Sequence, residues 1–196
     1  MKTVITGAGG QLGRALQDGL ASHEIVALDH AALDITNRDA VRAAIFTAGP
    51  DVVIHPAAWT DTVGCERDPE RAILVNAEGA RNVAEAARDA GAAMLHISTN
   101  EVFDGEKRTP YAEDDRTTAI NAYGRSKLAG EEAVAKKAAK KSPIGFLGAR
   151  PRTVNERPRP CRNVSGLPGL DQTKSLRVGK ICNGCMTRRA PRSCPG

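Results

Sequence analysis

Apolar residues along the chain alternate between two rhythms. Four short runs are nearly continuous: residues 2–6 (KTVIT), 24–28 (EIVAL), 52–55 (VVIH) and 92–97 (AAMLHI). Strands covered on both faces read this way. Between them the apolar positions recur at helical spacing: Leu12, Ala15, Leu16 and Leu20 in residues 11–21, then Val41, Ala44 and Ile45 behind Asn37, a good N-cap. Ala72, Val75, Ala80, Val83 and Ala87 mark a helix over residues 69–90, and a last helix is expected from about Ala122 to Lys141. Strands alternating with helices predict βαβ units, hence an α/β fold with a doubly wound, Rossmann-like parallel sheet. About four strands are expected, in the spatial order 3-2-1-4, with ligands outside their carboxyl ends.

Composition divides the chain. Of 28 Lys+Arg and 23 Asp+Glu, residues 1–141 carry 17 and 21, and residues 142–196 carry 11 and 2. Four of the five cysteines and seven of the 11 prolines also lie beyond residue 141. Only 11 of the last 55 residues are Leu, Ile, Val, Phe or Met, too few for a core. The expectation is a folded domain over 1–141 and a basic, disordered tail over 142–196. A change of reading frame near Ser142 would produce such a break. Cys182 and Cys185, with Cys161 and Cys194, match no common zinc-site spacing, so no metal site is expected. The tail's arginines come without Tyr or Trp, which predicts no specific nucleic-acid partner. No apolar run approaches the roughly 18 residues that span a bilayer. The start, MKTVITGAGG, reads as a strand entering a glycine turn and not as a signal peptide. A cytoplasmic location with no membrane partner is the expectation. If the sheet stops at the fourth strand, AAMLHI has a bare edge, which predicts self-association or homo-oligomers.

The first βα turn carries candidate chemistry. Gly7, Gly10 and Gly13 form G-x-x-G-x-x-G between a strand and a helix. Gly7 would allow the tight turn. Gly10 would let a pyrophosphate approach the helix N-terminus, and Gly13 would let the helix lie close to the sheet. Asp29 ends the second strand about 20 residues after the turn, where an acid would hold a ribose hydroxyl or simply cap the next loop.

Tyr123 and Lys127 share a helix face at i and i+4. A nearby ammonium lowers a phenol's pKa from about 10 and would make Tyr123 a usable general acid. Lys127 could also hold a ribose hydroxyl. The plainer reading is a packed Tyr beside a solvated Lys. The fourth strand, however, ends in Ser98 and Thr99, and a hydroxyl there could share a substrate carbonyl oxygen with Tyr123.

Together GAGGQLG (7–13), LDITN (33–37), PDVVIHPAAWT (50–60), CERDPERAILVNAEGARNVAEAA (65–87), ISTNEVFDG (97–105) and NAYGRSKLAGE (121–131) resemble the extended short-chain dehydrogenase/reductases, and within them the dTDP-4-dehydrorhamnose reductases. The resemblance covers residues 1–135 and implies an NADPH- or NADH-dependent reductase of the nucleotide sugar dTDP-4-dehydro-L-rhamnose. It implies cofactor contacts at Gly10, Gln11, Leu12, Asp29, Asp34, Ile35, Pro56, Ala57, Ala58 and Ile97. It makes Tyr123 the proton donor, Lys127 its partner and Thr99 the hydroxyl residue, with Thr99 and Asn100 holding the sugar. Four positions depart from the family pattern: Asn100 and Glu101 replace Asp and Tyr, Pro56 replaces Ala, and Ala119 replaces Pro. The second functional class is a non-catalytic nucleotide-binding protein resembling the regulatory subunit of methionine adenosyltransferase.

Overall fold

The computed structural model describes residues 1–112, 114–137, 144–147 and 176–177. Strands β1 (Lys2–Thr6), β2 (Glu24–Leu28), β3 (Val52–His55) and β4 (Ala93–Ile97) fall where the apolar runs predict. Helices α1 (Gln11–Gly19) and α2 (Arg38–Ala48) follow the first two strands. The Asn37 side chain caps α2 by accepting from the Ala40 N–H at 3.0 Å. The long helix expected over 69–90 is present in three parts: α4 (Pro69–Ile73), a π-helical turn (Leu74–Glu78) and α5 (Gly79–Asp89). A short helix, α3 (Thr62–Arg67), precedes it and is not legible in the apolar spacing. The last described helix is α6 (Ala122–Lys137).

All strand pairs are parallel, and the order is β2-β1-β3-β4 continued by β5 (Ile144–Leu147) and β6 (Leu176–Arg177). The fold class is as expected, but the order 3-2-1-4 is wrong: β1 lies between β2 and β3. Handedness explains why. Right-handed crossovers in opposite directions must lie on opposite faces of a sheet. Neighbouring strand residues point to opposite faces. Val4 and Val53 share a core with Val41, Ile45 and Ala48 of α2, together with Val83 of α5 and Val134 of α6. Ile5 and Ile54 join Leu16 and Leu20 on the α1 side. With α1 and α2 on opposite faces, the chain steps from β1 outward to β2 and then back across β1 to β3. That reversal opens a crevice at the carboxyl ends of β1 and β3, the topological switch point where doubly wound sheets bind ligands.

The second correction concerns the edge of β4. It is not bare: Met94, Leu95, His96 and Ile97 pair with residues 144–147. The row of free backbone groups on β4 is satisfied by an extended segment from beyond Ser142, so the sheet crosses the boundary expected there, and self-association loses its stated cause. Apart from β5 and β6, the segment beyond residue 141, including the four cysteines weighed as a zinc site, lies outside the described residues, and so does the disorder expected of it.

Candidate active site

The glycine turn sits at the mouth of the crevice. Gly7 has φ +61°, and a Cβ there would stand 2.7 Å from the Ala57 Cα. The turn therefore touches the 56–58 segment leaving β3, which only glycine permits. A Cβ on Gly13 would stand 2.4 Å from the Gly7 carbonyl oxygen and 2.7 Å from the Ala8 Cα. Gly13 thus lets α1 lie against the turn's own backbone, a closer neighbour than the sheet expected from the sequence. Gly10 is less crowded, its nearest neighbour being the Gly7 carbonyl oxygen at 3.3 Å. It caps α1 with extended backbone and no side-chain cap, which leaves Gln11 and Leu12 in the first helical turn, where N–H groups lack intrahelical acceptors. The Ala8 N–H donates to the Leu28 carbonyl at 3.1 Å and ties the turn to β2.

Asp29 is exposed beside this turn, its Cβ 3.3 Å from where a Cβ on Gly9 would stand. Its Oδ1 accepts the Ala32 N–H at 2.9 Å, so the loop-capping role is real, while the side chain still borders the glycines. Asp34 accepts both the N–H and the hydroxyl of Thr36, and these bonds hold its carboxyl below the usual range. Ile35 is buried, with its side chain against Gly79 and its carbonyl accepting from Asn82 Nδ2 at 3.0 Å. Its side chain belongs to the core. Pro56, Ala57 and Ala58 are half-buried at the end of β3.

Tyr123 and Lys127 are both buried, at 9% and 2% exposure, so Lys127 is no solvated helix-face lysine. Its Nζ donates to the Ile97 carbonyl at 2.7 Å, which brings α6 onto the carboxyl end of β4. Thr99, two residues further, lies close enough to the Tyr123 phenol for its side chain to lower the phenol's pKa. The structure therefore brings together Ile97, Thr99, Tyr123 and Lys127. The expected electrostatics do not hold. The Tyr123 phenol is pushed up, first by burial and then by Glu101 and, where it ionises, the Cys65 thiol, against the lowering effect of Thr99. Burial instead acts on Lys127 itself, lowering it from 10.5 to about 8 although Glu131 opposes this. Beneath the site, the buried rings of His55 and His96 stack at 5.4 Å, and His55 Nδ1 meets Thr6 Oγ1 at 2.6 Å. Burial and the Lys127 charge keep both imidazoles neutral near pH 7.

Sequence reasoning missed Asn76, in the π-helical turn. Its Nδ2 donates to the Trp59 carbonyl and to Ser126 Oγ, both at 2.9 Å, and its Oδ1 accepts the Trp59 N–H at 2.8 Å. One amide thus fixes the loop after β3 to α6, and Ser126 passes the constraint on to the Tyr123 carbonyl at 2.8 Å. A polar residue on the buried stripe of a helix was the available signal. Glu66 was also missed: it accepts the Ala122 N–H, one residue before Tyr123.

A parallel sheet with a glycine turn after its first strand and a Tyr-x-x-x-Lys helix against its fourth defines a short-chain dehydrogenase/reductase domain. The chain belongs to the family described as the RmlD substrate binding domain, whose family model matches residues 1–144. It is 50% identical over 136 residues to a dTDP-4-dehydrorhamnose reductase of Mycolicibacterium smegmatis, covering 68% of this chain and 41% of that protein. It is 46% identical over 134 residues to a dTDP-4-keto-6-deoxy-D-glucose reductase of Streptomyces niveus, covering 67% and 46%. Among solved structures, a dTDP-4-dehydrorhamnose reductase of Clostridium acetobutylicum superposes with a TM-score of 0.72 at 41% identity, covering 76% of this chain and 52% of that one. The Bacillus anthracis dTDP-4-dehydrorhamnose reductase in complex with NADP gives 0.70 at 38%, covering 75% and 53%. The chain spans about half the length of these relatives.

Proposed function

We propose that this chain carries the cofactor-binding and proton-donating half of an NAD(P)H-dependent reductase acting on the 4-keto group of dTDP-4-dehydro-L-rhamnose, in dTDP-L-rhamnose biosynthesis in the cytoplasm. The observation that carries the reading is Lys127, buried with its Nζ on the Ile97 carbonyl, one helical turn from the buried Tyr123 at the carboxyl edge of the sheet, where β4 leads into Thr99. A nucleotide-binding protein with no chemistry has no need of an ionisable pair buried at that edge. The names of the relatives point the same way.

The residues of the turn fit a dinucleotide. Gly7 and Gly13 are crowded by backbone below 3 Å, whereas Gly10, beside the first turn of α1, meets only the Gly7 carbonyl oxygen at 3.3 Å. The N–H groups of Gln11 and Leu12 would hold the pyrophosphate, and Asp29 the adenosine ribose. Asp34 and the backbone of Ile35 would border the adenine side. Pro56, Ala57, Ala58 and Ile97 would line the way to the nicotinamide, and Lys127 would hold its ribose. The bound cofactor supplies hydride to the sugar's C4. Tyr123 gives its proton to the carbonyl oxygen, and Thr99 holds that oxygen and the phenol in one hydrogen-bonded pair. Burial raises the phenol's pKa, so Tyr123 stays protonated but is a weaker acid than a free phenol, and the lowering effect of Thr99 acts in favour of donation. Thr99 and Asn100 would contact the sugar. An acid at position 29 disfavours a 2′-phosphate, so NADH is the cofactor to test beside NADPH.

Calorimetric titration with NADPH and NADH, run beside absorbance at 340 nm with dTDP-4-dehydro-L-rhamnose, tests the proposal. Cofactor binding with sugar-dependent oxidation is the expected result. Binding without oxidation reduces the chain to a nucleotide-binding module.

A further inference from the structure

Glu101 stands beside Tyr123 in an arrangement that helix capping alone does not require. Thr99 Oγ1 accepts the Glu101 N–H at 3.3 Å, which starts the short turn Asn100–Val102 directly after β4. The Glu101 carbonyl then lies against the residue following Tyr123: a Cβ on Gly124 would stand 2.1 Å from that oxygen. Residue 101 is thus clamped to the helix that carries the proton donor. Its side chain is clamped as well. Asn121 Oδ1 accepts the Gly124 N–H at 2.7 Å, which settles the orientation of the amide and turns its Nδ2 onto Glu101 Oε2 at 2.6 Å. The cap on α6 needs only the amide oxygen. The carboxylate is an addition to it.

The held carboxylate has one oxygen left. Oε2 is taken by Asn121, and among the described residues no hydrogen bond reaches Oε1. The group is half-buried, and its charge acts on Tyr123 and on Cys65, which share one buried cluster. Its bond to Asn121 and its carbonyl's contact with Gly124 place it against the first turn of α6, the turn that carries Tyr123. An ionised carboxylate only accepts hydrogen bonds. A ligand whose carbonyl oxygen meets Tyr123 presents the substituents of the adjacent carbons nearby, and of these a hydroxyl is the donor that fits. The same charge repels phosphate, so a nucleotide sugar must enter with its ring, and not its diphosphate, toward residue 101.

We infer that Glu101 is a specificity-determining residue that accepts a hydrogen bond from the hydroxyl on the carbon next to the reacting carbonyl. This rests on the reading of Tyr123 as the proton donor to a ketosugar, and it narrows the substrate class to α-hydroxy ketosugars. A sugar lacking that hydroxyl leaves one oxygen of a half-buried carboxylate without a donor, which costs about tenfold or more in affinity.

The test is the affinity of the full chain for dTDP-L-rhamnose and for its 3-deoxy counterpart, measured by calorimetry on wild type, Glu101→Ala and Glu101→Gln. The expected result is a preference of about tenfold or more for the 3-hydroxy sugar in wild type. It should be smaller in Glu101→Gln, which keeps the contact to Asn121 without the charge, and absent in Glu101→Ala. Equal affinity for the two sugars in wild type overturns the inference, as does a preference that survives in both variants or a wild type that binds neither sugar. The preference without cofactor oxidation would leave the inference standing and remove the proposed reaction. Oxidation with no preference would do the reverse.

Discussion

Replacing Lys127 with Met separates what this lysine does for stability from what it does for the site. Lys127 is 2% exposed, and burial lowers it from 10.5 to about 8. A base whose folded pKa lies below its unfolded value binds its proton less readily when folded. The unfolded state then holds more protons between about pH 8 and 10.5, and stability rises with pH across that window. Below pH 8 the full penalty for burying the charge is present, roughly 3 kcal/mol for this fall in pKa. By pH 10 most of it has gone, a gain of about 2 kcal/mol over pH 7. Met removes the buried charge but leaves the Ile97 carbonyl without its 2.7 Å donor, a loss of about 1–3 kcal/mol. The two effects nearly offset at pH 7. The variant should therefore equal or slightly exceed wild type there and fall progressively behind it toward pH 10. Urea unfolding of both proteins at pH 7, 8, 9 and 10 reads this directly. Parallel stability curves would refute the reasoning, because they would show that Lys127 is not desolvated in the folded chain.

Three further predictions are independent of that one. Tyr123→Phe should reduce sugar-dependent NADPH oxidation by about 100-fold or more while leaving NADPH affinity within a few-fold, measured by steady-state kinetics and calorimetry. Gly13→Ala should destabilise the domain by about 1–3 kcal/mol in chemical denaturation and weaken NADPH binding, since its Cβ would fall 2.4 Å from the Gly7 carbonyl oxygen. Asn76→Leu should cost about 2–4 kcal/mol in the same assay, because it strands both backbone groups of Trp59 and unties Ser126 from the π-helical turn.

How legible each part was follows from the range of the interaction responsible. The strands and helices depend on residues a few positions apart, so Val52–His55 and the cap at Asn37 were readable directly. The glycine turn was readable because its constraint lies mostly within it: Gly13 meets Gly7 and Ala8. The contact of Gly7 with Ala57 was not, since it joins segments about fifty residues apart only when β1 and β3 are neighbours. Spacing alone put Tyr123 and Lys127 on one face. It said nothing of their burial, and that burial reversed the expected direction of the Tyr123 shift. Asn76 stayed hidden because its partners, Trp59 and Ser126, come from a loop and a helix that meet only in the folded chain.

The order of the strands has the same origin. Apolar runs say that a segment is covered on both faces, but not which neighbour covers it. Here the choice rested on α1 and α2 taking opposite faces of β1, with Ile5 turned to one and Val4 to the other. That choice placed the crevice between β1 and β3. It also gave β4 a partner in residues 144–147, drawn from a stretch whose composition predicted no strand. By itself the sequence determined the elements, the glycine turn and the candidate pair Tyr123 and Lys127, because these are encoded by local spacing and side-chain chemistry. Only the tertiary structure decided the strand order, the seat of Lys127 on the Ile97 carbonyl and the clamp that aims Glu101, because each depends on desolvation and on contacts between segments far apart in the chain.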